Sequence, residues 1–181
     1  RSDASMPAPD FDLLELRAGP RALAHLRERG IAPADVRAIP AAAGGPKGLA
    51  LIPLDRRIAR EWLPAMQRVE LAGASIGAWR MAALAQPDAI AALDRLKRAY
   101  VRDQNYRRNP SPAEVSGTIR AVARQVLVEG RLDVREGVSL DVLVSRARGP
   151  LAGHRGRRAF ARAALTNAVT RSRLGHHLER V

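Results

Sequence analysis

Ser75 stands in the run Leu71-Ala72-Gly73-Ala74-Ser75-Ile76-Gly77, a G-x-S-x-G pattern between an apolar segment and an alanine-rich one. A serine on a tight strand-to-helix turn has its hydroxyl lifted clear of the sheet. The helix start behind it offers free backbone N–H groups and positive dipole to developing negative charge. Such a serine is a candidate nucleophile, and Gly73 and Gly77 are the small residues that a crowded turn requires. The pattern is short, and a packing turn that contains serine satisfies it too. Its context between a strand and a helix favours the nucleophile.

A nucleophilic serine needs a place for an oxyanion and a base. Gly44-Gly45-Pro46-Lys47-Gly48 is the candidate for the first. Gly44, Gly45 and Gly48 let backbone approach a ligand closely, and N–H groups at a helix start form an anion hole. Pro46 presets the chain direction and removes one donor that would otherwise need a partner. Lys47 adds positive charge where a helix start disfavours it, which argues for a purpose other than packing. No Ser or Thr follows the lysine as in a Walker A loop, and the glycines do not fit G-x-G-x-x-G. An oxyanion hole accounts for the loop better than a phosphate site.

The elements around these loops repeat one order. Asp35 to Ala43 reads as a buried strand ending in Gly44-Gly45, and GLALIPLDRRIAREWL as a helix distorted early by Pro53. Val69 to Ala72 reads as the next strand, GASIG as its turn and AWRMAALAQ as its helix. Two strand-turn-helix units in succession predict an α/β domain with a parallel sheet. An amphipathic helix is predicted from Pro20, with Gly30 as its stop. Further helices are expected in DAIAALDRLKRAYV, in AEVSGTIRAVARQVLV and from Arg157 to about Ala168, and a further strand from Gly137 to Ser145. Residues 1–18 read as a flexible lead-in and 19–181 as part of one domain.

Composition narrows the chemistry. The chain has 181 residues, enough for one domain with a core, and only 3% of them are aromatic, so that core is built from Ala, Leu, Val and Ile. It has no cysteine, which excludes disulfides, thiolate metal sites and thiol catalysis. His25, His154, His176 and His177 show no metal-ligand spacing, so no metal is expected. The net charge is +13, and all the basic residues except Lys47 and Lys97 are arginines. They are scattered through every segment, and no aromatic stacking platform accompanies them, so nucleic acid is not the expected partner. The densest cluster, His154-Arg155-Gly156-Arg157-Arg158, reads as a loop leading into a helix. No apolar run reaches a membrane span and RSDASMPAPD lacks a signal-peptide core, which leads to the expectation of a cytoplasmic protein.

Taken as a pair, Gly44-Gly45-Pro46-Lys47-Gly48 after one strand and Gly73-Ala74-Ser75-Ile76-Gly77 after the next, about thirty residues later, resemble the patatin-like phospholipase family. The resemblance covers Val36 to about Gln86. It implies a three-layer α/β/α fold with a mainly parallel sheet and hydrolysis of lipid or small acyl esters by a Ser-Asp dyad, without histidine or cofactor. It makes Ser75 the nucleophile, puts the oxyanion hole at Gly45 and its loop neighbours, and matches Lys47 to the family's basic loop residue. Transient contact with an anionic membrane surface is compatible with the charge.

The family's base is an aspartate followed by glycine on a later strand, and none of the ten aspartates here precedes a glycine. Asp133 and Asp141 lie in the right half of the chain without that glycine. The expectation is that 19–181 is the N-terminal portion of the domain and that the base lies beyond Val181. Two alternatives stay open: a Ser-Asp-His triad drawing on His154, His176 or His177, and a non-catalytic module that binds anions or membranes.

Overall fold

The computed structural model describes residues 17–103, 106, 108–127, 130–148, 156–170 and 178–180. Most of the expected lead-in, residues 1–16, lies outside them. Helix α1 (Pro20–Arg29) starts on its proline, and Gly30 closes it at φ 70° with its N–H donating to the Leu26 carbonyl at 3.0 Å.

Three parallel strands form the sheet, in the order β1 (Ala38–Ala41), β2 (Val69–Ala74), β3 (Val138–Leu143). The mixed α/β architecture with a parallel sheet is therefore observed. The first strand is shorter than the sequence suggests, because Pro33–Asp35 is a 3-10 turn in which the Asp35 carboxylate accepts the Ala32 N–H at 2.9 Å. Pro40 sits within β1, which is tolerated because β1 is an edge strand.

The segment predicted as one helix from Gly48 to Leu63 is broken into four pieces. A 3-10 stretch (Gly45–Leu51) leads into α2 (Ile52–Arg57), then a π-helical turn (Ile58–Trp62) and a 3-10 turn (Leu63–Ala65). Proline decides the first break. Pro53 has no N–H to give, so it stands in the first turn of α2, where that missing donor costs nothing.

Helix α3 (Ile76–Leu84) follows β2 directly and is the centre of the molecule. Ile76, Met81, Ala83 and Leu84 are all buried, packed on the sheet and on α4 (Ala89–Asp103), which in turn packs on α5 (Pro112–Val126). Leu93 and Leu96 of α4 and Val122 and Val126 of α5 complete an aliphatic core. Alanines at 82, 83, 85, 89, 92 and 99 let these helices approach closely, as the low aromatic content requires. On the sheet, Val69 and Leu71 are buried beneath the helices, while Glu70 and its partner Ser139 are exposed. Beyond β3, β4 (Ser145–Ala147) pairs antiparallel with β5 (Leu178–Arg180), and α6 (Gly156–Val169) lies between them in the chain.

Candidate active site

The chain turns from β2 into α3 at Ser75, where φ is 53° and ψ is −125°. Among the described residues it is the only non-glycine with positive φ. Holding an L-residue there costs on the order of 1–3 kcal/mol and persists only if the surroundings enforce it. The enforcement comes from the two flanking glycines. A Cβ on Gly73 would lie 2.5 Å from the Ala78 nitrogen, and one on Gly77 would collide with the Ala41 carbonyl oxygen and sit 2.8 Å from that of Ala42. The first turn of α3 is thus pressed against the backbone on both sides. Ser75 itself is exposed, and its side chain makes no capping bond to α3, so the hydroxyl is left facing outward.

The glycine loop lies beside this turn because of strand register. Ala41 of β1 is level with Gly73 of β2, so the two strands end together and release their loops at the same edge of the sheet. Gly45 takes φ 56°, a left-handed turn that favours glycine, and opens the 3-10 stretch. Gly48 is buried against the elbow: a Cβ there would lie 2.7 Å from Ile76 Cγ2. The sequence-predicted residues Gly44, Gly45, Gly48, Gly73, Ser75 and Gly77 are therefore brought together. Lys47 is on the same stretch with its side chain exposed.

A second connection was not foreseen from sequence. Arg80, one turn into α3, donates from Nε and Nη2 to the two carboxylate oxygens of Asp55 on α2, at 2.6 and 2.7 Å. Both side chains are buried. The pair ties the helix that follows the glycine loop to the helix that follows the elbow. One signal was present: an arginine inside the apolar run Ala78-Trp79-Arg80-Met81-Ala82 must find a partner if that helix is buried.

Ser75 opens into a cavity of about 620 Å³ lined by Ala74 and Ser75 at the elbow, by Ala78, Trp79 and Ala82 on α3, by Leu140, Val142 and Leu143 on β3, by Val144 and Ser145 just after it, and by Ala43, Leu127 and Leu132. Such a volume is within the roughly 300–1,000 Å³ of small-molecule sites. Its walls are almost wholly apolar, and no acidic residue or histidine lines it among the described residues. Asp141 pairs in register with Ala72 and alternates with Leu140 and Val142, which places it on the opposite face of the sheet from them. Asp133 is exposed in the segment before β3 and does not line the cavity. His25 belongs to α1, where its Nε2 lies 3.3 Å from an Asp35 oxygen. His154, His176 and His177 lie outside the described residues.

No family model, curated protein or solved structure matches the chain. The site combines a strained, exposed serine, a glycine loop at the same sheet edge and an apolar cavity that Ser75 helps to line.

Proposed function

We propose that this chain carries the nucleophile and oxyanion elements of a serine acyl hydrolase of the patatin-like kind, in a three-layer α/β/α setting, acting on lipid or small acyl esters. The single observation that carries the reading is Ser75, held at φ 53° with its hydroxyl uncommitted at the mouth of an apolar cavity. Strain of this sort is kept at functional sites and is hard to explain in a turn that only packs. The Ser75 oxygen attacks the ester carbonyl, and backbone N–H groups at Gly44, Gly45 and Gly48, aided by the Lys47 charge, receive the oxyanion. Collapse expels the alcohol and leaves an acyl-serine, which water then hydrolyses.

The base must come within about 2.6–3.2 Å of the Ser75 hydroxyl. None of the seven described aspartates lines the cavity, so the base is an aspartate outside the described residues. The test is hydrolysis of p-nitrophenyl butyrate and labelling by a fluorophosphonate, measured on the full-length protein and on Ser75→Ala. Equal hydrolysis by the two proteins rejects the reading.

One observation favours a second, non-catalytic reading. The cavity has no acid or base among its described lining residues, and the chain carries a charge of +13, a combination that suits a module binding anionic membrane surfaces. Binding to anionic liposomes without fluorophosphonate labelling selects it.

A further inference from the structure

The cavity has a direction. Ser75, Ala78, Trp79 and Ala82 are spaced i, i+3, i+4 and i+7 and so share one face of α3, making a floor that runs from the hydroxyl down the helix. Ala78 and Ala82 leave space along this floor, and Trp79 is its one large side chain on α3. The far end is lined by leucine. At the C-terminal end of α3 the Arg135 N–H donates to the Ala85 carbonyl at 2.9 Å and Gln86 Nε2 donates to the Val126 carbonyl at 3.3 Å. Near these bonds, Leu127 and Leu132 line the cavity wall.

We infer that the cavity is an acyl-length ruler that accepts a linear chain of about eight carbons, with Ala82 as the residue that sets the limit. This deepens the acyl-hydrolase reading and rests on it. Seven helical residues from Ser75 to Ala82 advance about 10 Å at roughly 1.5 Å each. A methylene chain built from bonds of about 1.52 Å advances roughly 1.25 Å per carbon, which gives about eight carbons before the leucine wall. A larger side chain at position 82 would fill the end of the floor without touching Ser75 or the glycine loop. Longer acyl chains would have to leave the cavity at its mouth, where they gain no further buried contact.

The test compares kcat/KM for p-nitrophenyl esters from C2 to C16 on the full-length protein and on Ala82→Leu, with circular dichroism confirming that the variant is folded. The wild-type profile is expected to rise by about fourfold per methylene while each is buried, to about C8, and then level off. Ala82→Leu is expected to cut the ratio of the C8 to the C4 rate at least tenfold. An unchanged profile in folded Ala82→Leu, or a wild-type profile still climbing to C16, overturns the ruler. Failure of the hydrolase reading is separable, because octanoate binding can be followed by Trp79 fluorescence in a Trp62→Phe, Ser75→Ala background. There octanoate should bind at least tenfold more tightly than butyrate, and Ala82→Leu should abolish that difference; equal binding of the two acids overturns the ruler whether or not any ester is cleaved.

Discussion

Arg80 grips Asp55 through two parallel hydrogen bonds of 2.6 and 2.7 Å, with both side chains withdrawn from solvent. Because Asp55 follows the glycine loop and Arg80 follows the elbow, this one pair fixes the distance between the two halves of the candidate site. Removing one partner of a buried pair strands the other charge and costs about 3–5 kcal/mol, whereas an apolar replacement of both can be neutral. Arg80→Met should therefore lower unfolding stability by that amount in urea titrations. The double variant Asp55→Leu with Arg80→Met should recover most of it. If the pair also positions the loop, the double variant regains stability while kcat for butyrate esters stays depressed.

Strain at Ser75 predicts a split between stability and activity. Ser75→Gly relieves the positive φ and should raise the melting temperature, with a net gain of about 1 kcal/mol after the added entropy of the unfolded glycine. Ser75→Ala keeps the strain and should melt within a degree or two of the wild type. Both should be inactive. A Ser75→Gly protein that melts below the Ser75→Ala protein would show that the elbow stores no strain.

The glycines separate by cause. Gly77→Ala drives a methyl group into the Ala41 and Ala42 carbonyls, so backbone must move; a loss of more than 3 kcal/mol and of soluble expression is expected. Gly45→Ala has open space around its Cβ and meets only the cost of φ 56°, about 1 kcal/mol. Its protein should fold and keep the N–H at position 45, so a fall in kcat would report a shift of the oxyanion loop itself rather than a lost donor. Thermal melts and ester kinetics on the two variants distinguish these cases.

Far from the site, Asp35 has its carboxyl held below the usual carboxylate range, chiefly by the hydrogen bond from the Ala32 N–H and secondarily by the His25 side chain. A lowered carboxyl contributes stability that is present above the unfolded value, about pH 3.9, and is lost as pH falls through the folded value. In His25→Ala, an NMR titration of the Asp35 carboxyl should move up yet remain below the ordinary midpoint, because the larger backbone contribution is untouched. A return to the ordinary midpoint would reverse that ranking.

Gln86 tests the far wall of the cavity. It is buried, and its Nε2 donates to the Ala82 and Val126 carbonyls at 3.1 and 3.3 Å. Gln86→Leu removes both bonds and should cost about 1–3 kcal/mol. Loosening the Leu127 wall should also blur any chain-length preference in the ester series.

The strand-turn-helix order, the positions of β2, α3, α4 and α5 and the two glycine loops were all legible in the sequence, because hydrophobic periodicity and glycine placement are local properties of the chain. So was the candidate serine. Local signals also failed in local ways. The run from Gly48 to Leu63 kept helical spacing while it divided into 3-10, α and π pieces, only the first break falling at a proline, since spacing records which face is apolar and not which hydrogen bonds close.

What only the tertiary structure decided involves residues far apart in the chain. Asp55 and Arg80 are 25 positions apart, and nothing in their types names them as partners until α2 and α3 are packed. The alternation along β3 reads Leu140-Asp141-Val142, but only the parallel register with β2 turns Asp141 away from the cavity and the two hydrophobic residues toward it. Ser75 was a motif in the sequence. Its strain, and its place at the head of an apolar floor ending at Ala82, arise because Gly77 can sit against the Ala41 carbonyl only when β1 and β2 lie side by side.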